Sequence, residues 1–267
     1  MNERAEEGPR ARLDPGRGDE LADISEAFNQ LMEREQAREA ALVQRNLELS
    51  QQSRRDTLTG LFNRRHFEEW AAASWPALRG QAALIAIIDV DRFKRINDRF
   101  GHAVGDEVLV ALARRLGAAL RPEDLLLRWG GEEMVALALG PRAPGDLAAR
   151  LLEVVDSDPV ASSAGPLPVS VSIGLARLPL QAGELELPIE RALVLADRAL
   201  YAAKNAGRDC AIVIESLQVA GRAELADVED NLWKAADFGL VTLRQIQGGA
   251  GSKALLAPAA RVALGAE

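Results

Sequence analysis

The segment Arg128-Trp129-Gly130-Gly131-Glu132-Glu133-Met134 puts two glycines directly before two carboxylates, with apolar runs at Leu125-Leu126-Leu127 and Val135-Ala136-Leu137. Strand, Gly-Gly, strand is the pattern of a tight β-hairpin. Such a hairpin presents Glu132 and Glu133 at the rim of a sheet. Glycine at positions Gly130 and Gly131 lets a bulky ligand approach the backbone, where a side chain would obstruct it. Alone, an acidic Gly-Gly hairpin is a solvated turn. It gains meaning from a second segment upstream, Asp89-Val90-Asp91-Arg92-Phe93-Lys94-Arg95-Ile96-Asn97-Asp98. The seven-residue apolar run Ala82 to Ile88 reads as a buried strand with Asp89 at its end. A carboxylate at a strand end facing carboxylates on a hairpin suits a hard cation. Mg²⁺ takes one or two carboxylates and completes its shell with phosphate oxygens. The plainer role for both aspartates is to cap the next helix. That role suits Asp91 and accounts less well for Asp89.

These residues need a scaffold, and helix and strand patterns alternate around them. The patterns predict a helix over Arg64–Trp75, a strand over Ala82–Val90, and helices over Phe93–Phe100 and Gly105–Leu120. A hairpin over Leu125–Leu139 follows, then a helix near Asp146–Asp156 and a strand over Val169–Arg177. A helix over Ile189–Asn205 and a strand over Cys210–Ile214 close the domain.

Bulk properties narrow the function. A chain of 267 residues with 48% hydrophobic content can build a real core, as one domain with appendages or two small ones. The net charge of −8 argues against nucleic acid as a partner, which needs a basic face. One cysteine, Cys210, rules out an internal disulfide and fits a reducing, cytoplasmic compartment. Two histidines and one cysteine argue against a zinc site. No apolar run reaches membrane-spanning length, and the charged N-terminus does not read as a signal peptide.

Further motifs lie in a definite order. They are Asp56-Thr57-Leu58-Thr59-Gly60-Leu61-Phe62-Asn63-Arg64-Arg65, the Asp89 segment, Gly101-His102-Ala103-Val104-Gly105-Asp106, the Arg128 hairpin, Ser172-Ile173-Gly174, and Ala196-Asp197-Arg198-Ala199-Leu200-Tyr201-Ala202-Ala203-Lys204-Asn205-Ala206-Gly207-Arg208. From about Asp56 to Glu215 this order resembles the GGDEF-domain diguanylate cyclase family. The resemblance implies an α+β fold, a mostly antiparallel central sheet wrapped by helices like a nucleotide cyclase or polymerase palm. It implies condensation of two GTP into cyclic di-GMP with release of pyrophosphate, with Mg²⁺ or Mn²⁺ as cofactor. It assigns Asp89, Glu132 and the Val90 carbonyl to metal, and Glu133 either to a second metal or to deprotonating the 3′-hydroxyl. Lys94 would steady the transition state, Arg128 would add charge near the reacting phosphorus, and Lys204 and Arg208 would grip the terminal phosphates. Asn97 and Asp106 would read guanine, with Phe93, His102, Gly130 and Gly131 against the nucleotide. For His102 a structural hydrogen bond is equally open. Met134 departs from the family's usual Phe; it keeps apolar character, loses a rigid ring and is expected to face the core.

Arg121-Pro122-Glu123-Asp124 ends just before the hairpin, at the offset of the family's product-inhibition motif. The resemblance makes Arg121 and Asp124 an inhibitory cyclic di-GMP site; the plainer role is a surface ion pair.

The remaining chain suggests regulation. Residues 1–18 read as a disordered leader carrying Pro9 and Pro15. Residues 19–55 lack Gly and Pro, and Leu21, Ile24, Phe28, Leu31, Leu42 and Leu49 follow heptad-like spacing interrupted by Glu35, Arg38 and Arg45. The segment Gly18 to Asn29 resembles the last helix of a HAMP signalling module. It reads as a dimerising signalling helix, so that two domains each holding one GTP can face one another. The chain would then be cytoplasmic, or the cytoplasmic part of a membrane receptor. Residues 56–215 form the catalytic domain and 216–267 an extension without assigned role. There Leu225, Val228, Leu232, Trp233 and Ala236 suit one amphipathic helix, and Gly248 to Ser252 reads as a flexible break. Alternatives left open are a silent cyclic di-GMP sensor, an interaction module, and a mononucleotide cyclase.

Overall fold

The structure is a computed structural model that describes residues 24, 26–40, 54–78, 80–182, 185–249 and 257–258. The chain divides into two units, residues 1–53 and 54–267. In the first, residues 24 and 26–40 are helical (α1), within the stretch free of Gly and Pro. Ile24, Phe28 and Leu31 are exposed along it, an apolar stripe at coiled-coil spacing. The leader 1–18, the heptad positions Leu21, Leu42 and Leu49, and most of the Gly248–Ser252 break lie outside the described residues.

The second unit is built on an eight-stranded sheet in the order β1-β3-β4-β2-β7-β10-β11-β12. The strands are β1 (Phe62–Asn63), β2 (Ala83–Val90), β3 (Leu125–Gly130), β4 (Glu133–Leu139), β7 (Val171–Leu178), β10 (Cys210–Leu217), β11 (Val241–Gln247) and β12 (Ala257–Pro258). Only the β1–β3 and β10–β7 pairs are parallel, so the sheet is mostly antiparallel, as expected. Two short hairpins, β5 (Val160–Ser162) with β6 (Gly165–Leu167) and β8 (Gln181–Ala182) with β9 (Leu185–Glu186), lie apart from it.

Strand β2 shows why the apolar run sits at the centre. All eight of its residues are buried. Side chains alternate between faces along a strand. Ile85 and Ile87 join one core cluster, while Leu84, Ala86, Ile88 and Val90 join the other. Helices α2 (Arg64–Leu78) and α6 (Ile189–Asn205) cover the first face; α3 (Phe93–Phe100), α4 (His102–Ala119) and α5 (Pro144–Asp156) cover the second. Helix α6 lies hard on β7. A Cβ at Gly174 would collide with the backbone of Ala196 and Leu200, so glycine sets how near the helix comes. Helices α4 and α5 close each other's ends: Arg115 donates to the carbonyls of Val155 at 2.8 Å and Pro159 at 3.1 Å, and Arg150 donates to that of Ala119.

The extension after β10 departs from the single helix expected of it. Two helices form, α7 (Arg222–Asp230) and α8 (Leu232–Asp237), broken at Asn231. The extended Asn231 accepts from Lys234 N at 2.9 Å and restarts the chain as a helix cap. Leu225, Val228 and Leu232 are buried as expected, but Trp233 is exposed. Strand β11 then pairs antiparallel with β10 and extends the sheet, with Val241 and Leu243 in the core. Among the described residues no helix is long and apolar enough to cross a membrane.

Candidate active site

Strand pairing brings the two acidic segments together. Asp89, next to last in β2, lies between Glu133 of β4 and Ser172 of β7 in register. The hairpin turn is Gly131-Glu132, one residue later than the Gly-Gly pair suggests, because Gly130 still pairs with Glu133 across a bulge at Trp129. Gly131 has φ 44°, which makes glycine the suitable residue at the first turn position. A Cβ built on Gly130 or Gly131 would meet no atom of the chain within 4 Å. Both glycines therefore border open space that a ligand can use.

The electrostatics of this end are unresolved within the protein. Burial pushes the Asp89 carboxyl above its ordinary range; Lys204 opposes that, and Glu132 and Asp91 add to it. Lys204 Nζ sits 2.8 Å from Asp89 Oδ2. Glu133 is likewise raised, first by burial and then by Asp89. Adjacent carboxylates that share one ammonium call for more positive charge. A divalent cation fits this donor set, with Lys204 as its stand-in. Among the described residues no three acidic, His or Cys groups converge as a metal cluster on their own. The protein would supply part of the shell and substrate phosphate the rest. Val90 ends β2, paired with Val171.

Helix α3 carries the neighbouring groups. It starts at Phe93 after Arg92, whose φ is 56° and which makes no side-chain cap. Asp91 is not the expected cap. Its buried carboxylate accepts from Ser172 Oγ at 2.6 Å, Ser170 Oγ at 2.8 Å and Asp209 N at 2.9 Å. Phe93 also departs from its expected place against the nucleotide: it is 7% exposed and packs in the core beneath α3. Lys94 is exposed. Asn97 Oδ1 is buried without a partner, beside Gly105, where any Cβ would overlap it. An orphaned acceptor housed by a glycine is what a ligand N–H would satisfy. His102 and Asp106 are exposed on the first turns of α4, past the corner at Gly101. Lys204 and the exposed Arg208 stand at the C-terminal end of α6.

Arg128 is committed elsewhere. Its guanidinium holds Asp56 at 3.1 and 3.2 Å and the Gly131 carbonyl at 2.7 and 2.9 Å. The arrangement fixes the turn to the Asp56–Gly60 loop rather than leaving the charge free for a phosphate. Burial works to raise Asp56, but hydrogen bonds from Thr59 and Arg128 outweigh it and hold the carboxyl low. Sequence reasoning missed this brace. Its signal was an Asp and an Arg in separate motifs with no distance between them.

The expected inhibitory pair is also rearranged. The Asp124 side chain is 0% exposed and bonded to Arg142 Nη2 at 2.8 Å. It also accepts from Leu139 N at 3.0 Å and Arg121 N at 2.8 Å. Enclosed and bonded through both oxygens, it braces the loop rather than facing solvent. Arg121 stays exposed, on a cleft of about 250 Å³ shared with Arg142 and Arg150. Met134 faces the core, 1% exposed, as expected.

Residues 53–210 match the family model described as "GGDEF: Diguanylate cyclase, GGDEF domain". The chain is 42% identical over 166 residues to diguanylate cyclase DgcM of Escherichia coli (strain K12), covering 61% of this chain and 38% of that protein. It is 39% identical over 196 residues to diguanylate cyclase TpbB of Pseudomonas aeruginosa (strain UCBPP-PA14), covering 71% and 44%. The chain thus spans less than half the length of these curated relatives. Among solved structures, diguanylate cyclase SiaD in complex with its activator SiaC from Pseudomonas aeruginosa aligns with TM-score 0.53 and 35% identity, over 72% of this chain and 76% of that one. The coiled coil and GGDEF domain of DgcB from Caulobacter crescentus in complex with c-di-GMP aligns with TM-score 0.51 and 28% identity, over 66% and 96%.

Proposed function

The chain belongs to the GGDEF family of diguanylate cyclases, and on that premise we propose that it condenses two GTP into cyclic di-GMP and two pyrophosphates. Each 3′-hydroxyl attacks the α-phosphate of the other nucleotide, the bond from that phosphorus to the bridging oxygen breaks, and the β- and γ-phosphates leave together as pyrophosphate. No protein nucleophile is needed; positioning and charge neutralisation carry the rate. The observation that carries this reading is the register that sets Asp89 beside Glu133, with raised carboxyls and Lys204 as the one counter-charge among the described residues. Asp89, Glu132 and the Val90 carbonyl would hold Mg²⁺ or Mn²⁺, which when bound offsets phosphate charge and polarises the reacting oxygens. Glu133 would ligate a second ion or take the 3′-hydroxyl proton. Asn97 and Asp106 would read the guanine edge, and His102 borders that site. Such a polar reader rejects adenine because unmatched donors stay unpaired. Lys94, Lys204 and Arg208 would hold phosphates.

One domain holds one GTP, so two domains must meet. The exposed stripe Ile24, Phe28 and Leu31 supports pairing of two copies through α1. The solved DgcB structure, which includes a coiled coil beside its GGDEF domain, supports the same arrangement. Product inhibition would rest on Arg121 and its cleft, without Asp124 as a direct reader. That enclosed carboxylate also makes the silent-sensor alternative the weaker one. The test is incubation with GTP and Mg²⁺, with products identified by chromatography and mass. Cyclic di-GMP from the full chain, absent with Glu132→Ala, is expected. A product other than cyclic di-GMP would overturn the reading.

A further inference from the structure

The turn Gly207-Arg208-Asp209 has three consecutive positive φ values, 116°, 71° and 48°. For L residues this region is costly, and two in succession persist only where the surroundings hold them. The end of α6 holds Arg208 itself, whose N–H donates to the Ala203 carbonyl at 3.1 Å, and two further groups hold the Asp209 side of the turn. From inside, the Asp91 carboxylate accepts Asp209 N at 2.9 Å and is itself fixed by Ser170 and Ser172. From outside, Gly248 N donates to the Asp209 carbonyl at 2.8 Å, just past the end of β11 and beyond the family-matched segment. Gly248 also lies against two carboxylates. A Cβ there would overlap Asp209 Oδ1 and stand 2.9 Å from Asp156 Oδ2. The strained residue in the middle, Arg208, is exposed and has no ion-pair partner among the described residues.

We propose that Asp91 and Gly248 are positioning residues that clamp this turn from opposite sides and so aim Arg208 at the nucleotide's terminal phosphates. The inference rests on the phosphate role given to Arg208 above, and it gives the C-terminal extension a task in substrate binding. The extension brings Gly248 to the turn because β11 is locked to β10 in register. Asp91 brings the same turn to β2, two residues from Asp89. Grip on phosphate and the acidic strand end are thereby set by one carboxylate.

The test is a double-mutant cycle on the full chain, reading KM for GTP, kcat and melting temperature. Asp91→Asn keeps the shape but weakens the acceptor; Gly248→Ala removes no polar group but forces the Asp209 and Asp156 carboxylates aside. Each is expected to raise KM about tenfold, the scale of one charge-assisted hydrogen bond. Electrostatics alone would lower KM in Asp91→Asn, since a negative charge leaves the phosphate site, so a rise reports the lost clamp. In an Arg208→Ala background neither change should raise KM further. Additive increases in that background, or an unmoved KM in both single variants with melting temperature lowered, would overturn the clamp and leave the phosphate reading standing. An Arg208→Ala variant with unchanged KM would overturn both. Should Asp91→Asn fail to fold, Gly248→Ala carries the cycle.

Discussion

Two buried acid–base pairs sit in different parts of the sheet, and they are built in opposite ways. Asp124 is enclosed, paired with Arg142 and bonded to the backbone of Leu139 and Arg121. Asp89 is nearly as buried, yet it has Lys204 for company and three carboxylates nearby, Glu132, Asp91 and Glu133. A carboxylate bonded through both its oxygens holds a loop together. An undersupplied pair leaves a standing demand for cations, and that demand marks a site. Both are Asp with a basic partner in sequence terms; only the count of donors separates structure from chemistry.

The sharpest way to break this comparison is to neutralise each acid. Asp89→Asn should cut turnover by about three orders of magnitude, since it removes a proposed metal ligand. Its melting temperature should hold or rise, because a desolvated carboxylate is gone. If Asp89→Asn unfolds the protein as readily as a core mutation, the undersupplied pair is structural after all. Asp124→Ala should do the reverse. It leaves the Arg142 guanidinium buried and the Leu139 N–H unpaired, a loss of about 3 kcal/mol in denaturant unfolding. Turnover per folded molecule should stay within a factor of about two, because Asp124 braces Leu139 at the end of β4 opposite Glu133.

Acidity sharpens the contrast further. Asp89, Glu133, Asp156 and Asp209 are all raised in the fold, each first by burial. A raised carboxyl binds more protons folded than unfolded, so its contribution to stability grows as pH falls through the folded pKa and levels off below the unfolded value, near 4. Asp56 is lowered, and its contribution is present above the ordinary value of 3.8 and lost as pH drops through the folded pKa. His66 opposes the raised carboxyls: burial and then Arg54 hold its imidazole below the ordinary 6.5, so the unfolded chain takes up that proton first and stability is lost as pH falls through this value. Four carboxyls against one partly exposed imidazole leave the metal-free protein melting higher at about pH 5 than at about pH 7, and weakening below about 4. Saturating Mg²⁺ should flatten or invert the first limb, since a bound cation keeps Asp89 and its neighbours ionised. Melting curves with and without Mg²⁺ check this; parallel curves would remove the cation from this site.

Much of this was legible in the chain. The apolar run before Asp89 fixed a central strand because both faces of β2 are covered. Helix α6 ran over the expected residues, Ile189–Asn205, because its apolar spacing and small side chains meet β7 closely. What escaped were contacts between segments. Asp91 looked like a cap, and the Asp209 N–H it receives comes from far along the chain. Asp124 looked like half of a reader, and Arg142, which closes it, is eighteen positions away. Strand β11 carried its signal in Val241 and Leu243, two apart, but Arg244, Gln245 and Ile246 break the alternation before its end.

The smallest effect concerns Met134, where the family usually has Phe. It pairs in register with Ile88 of β2 and Arg128 of β3 and points into the core on the face opposite Val135. Alternation along β4 therefore turns it away from the side that Glu133 occupies. Met134→Phe adds volume to a closed space but exchanges a flexible chain for a rigid ring. Overpacking and better ring contacts oppose one another, so the net change should stay within about 1.5 kcal/mol. Turnover should change by less than about twofold. A large rate change with stability preserved would show that the hairpin's underside governs how Glu132 and Glu133 are presented, and the contrast between a structural and a chemical end of the sheet would then have to include the residue beneath the turn.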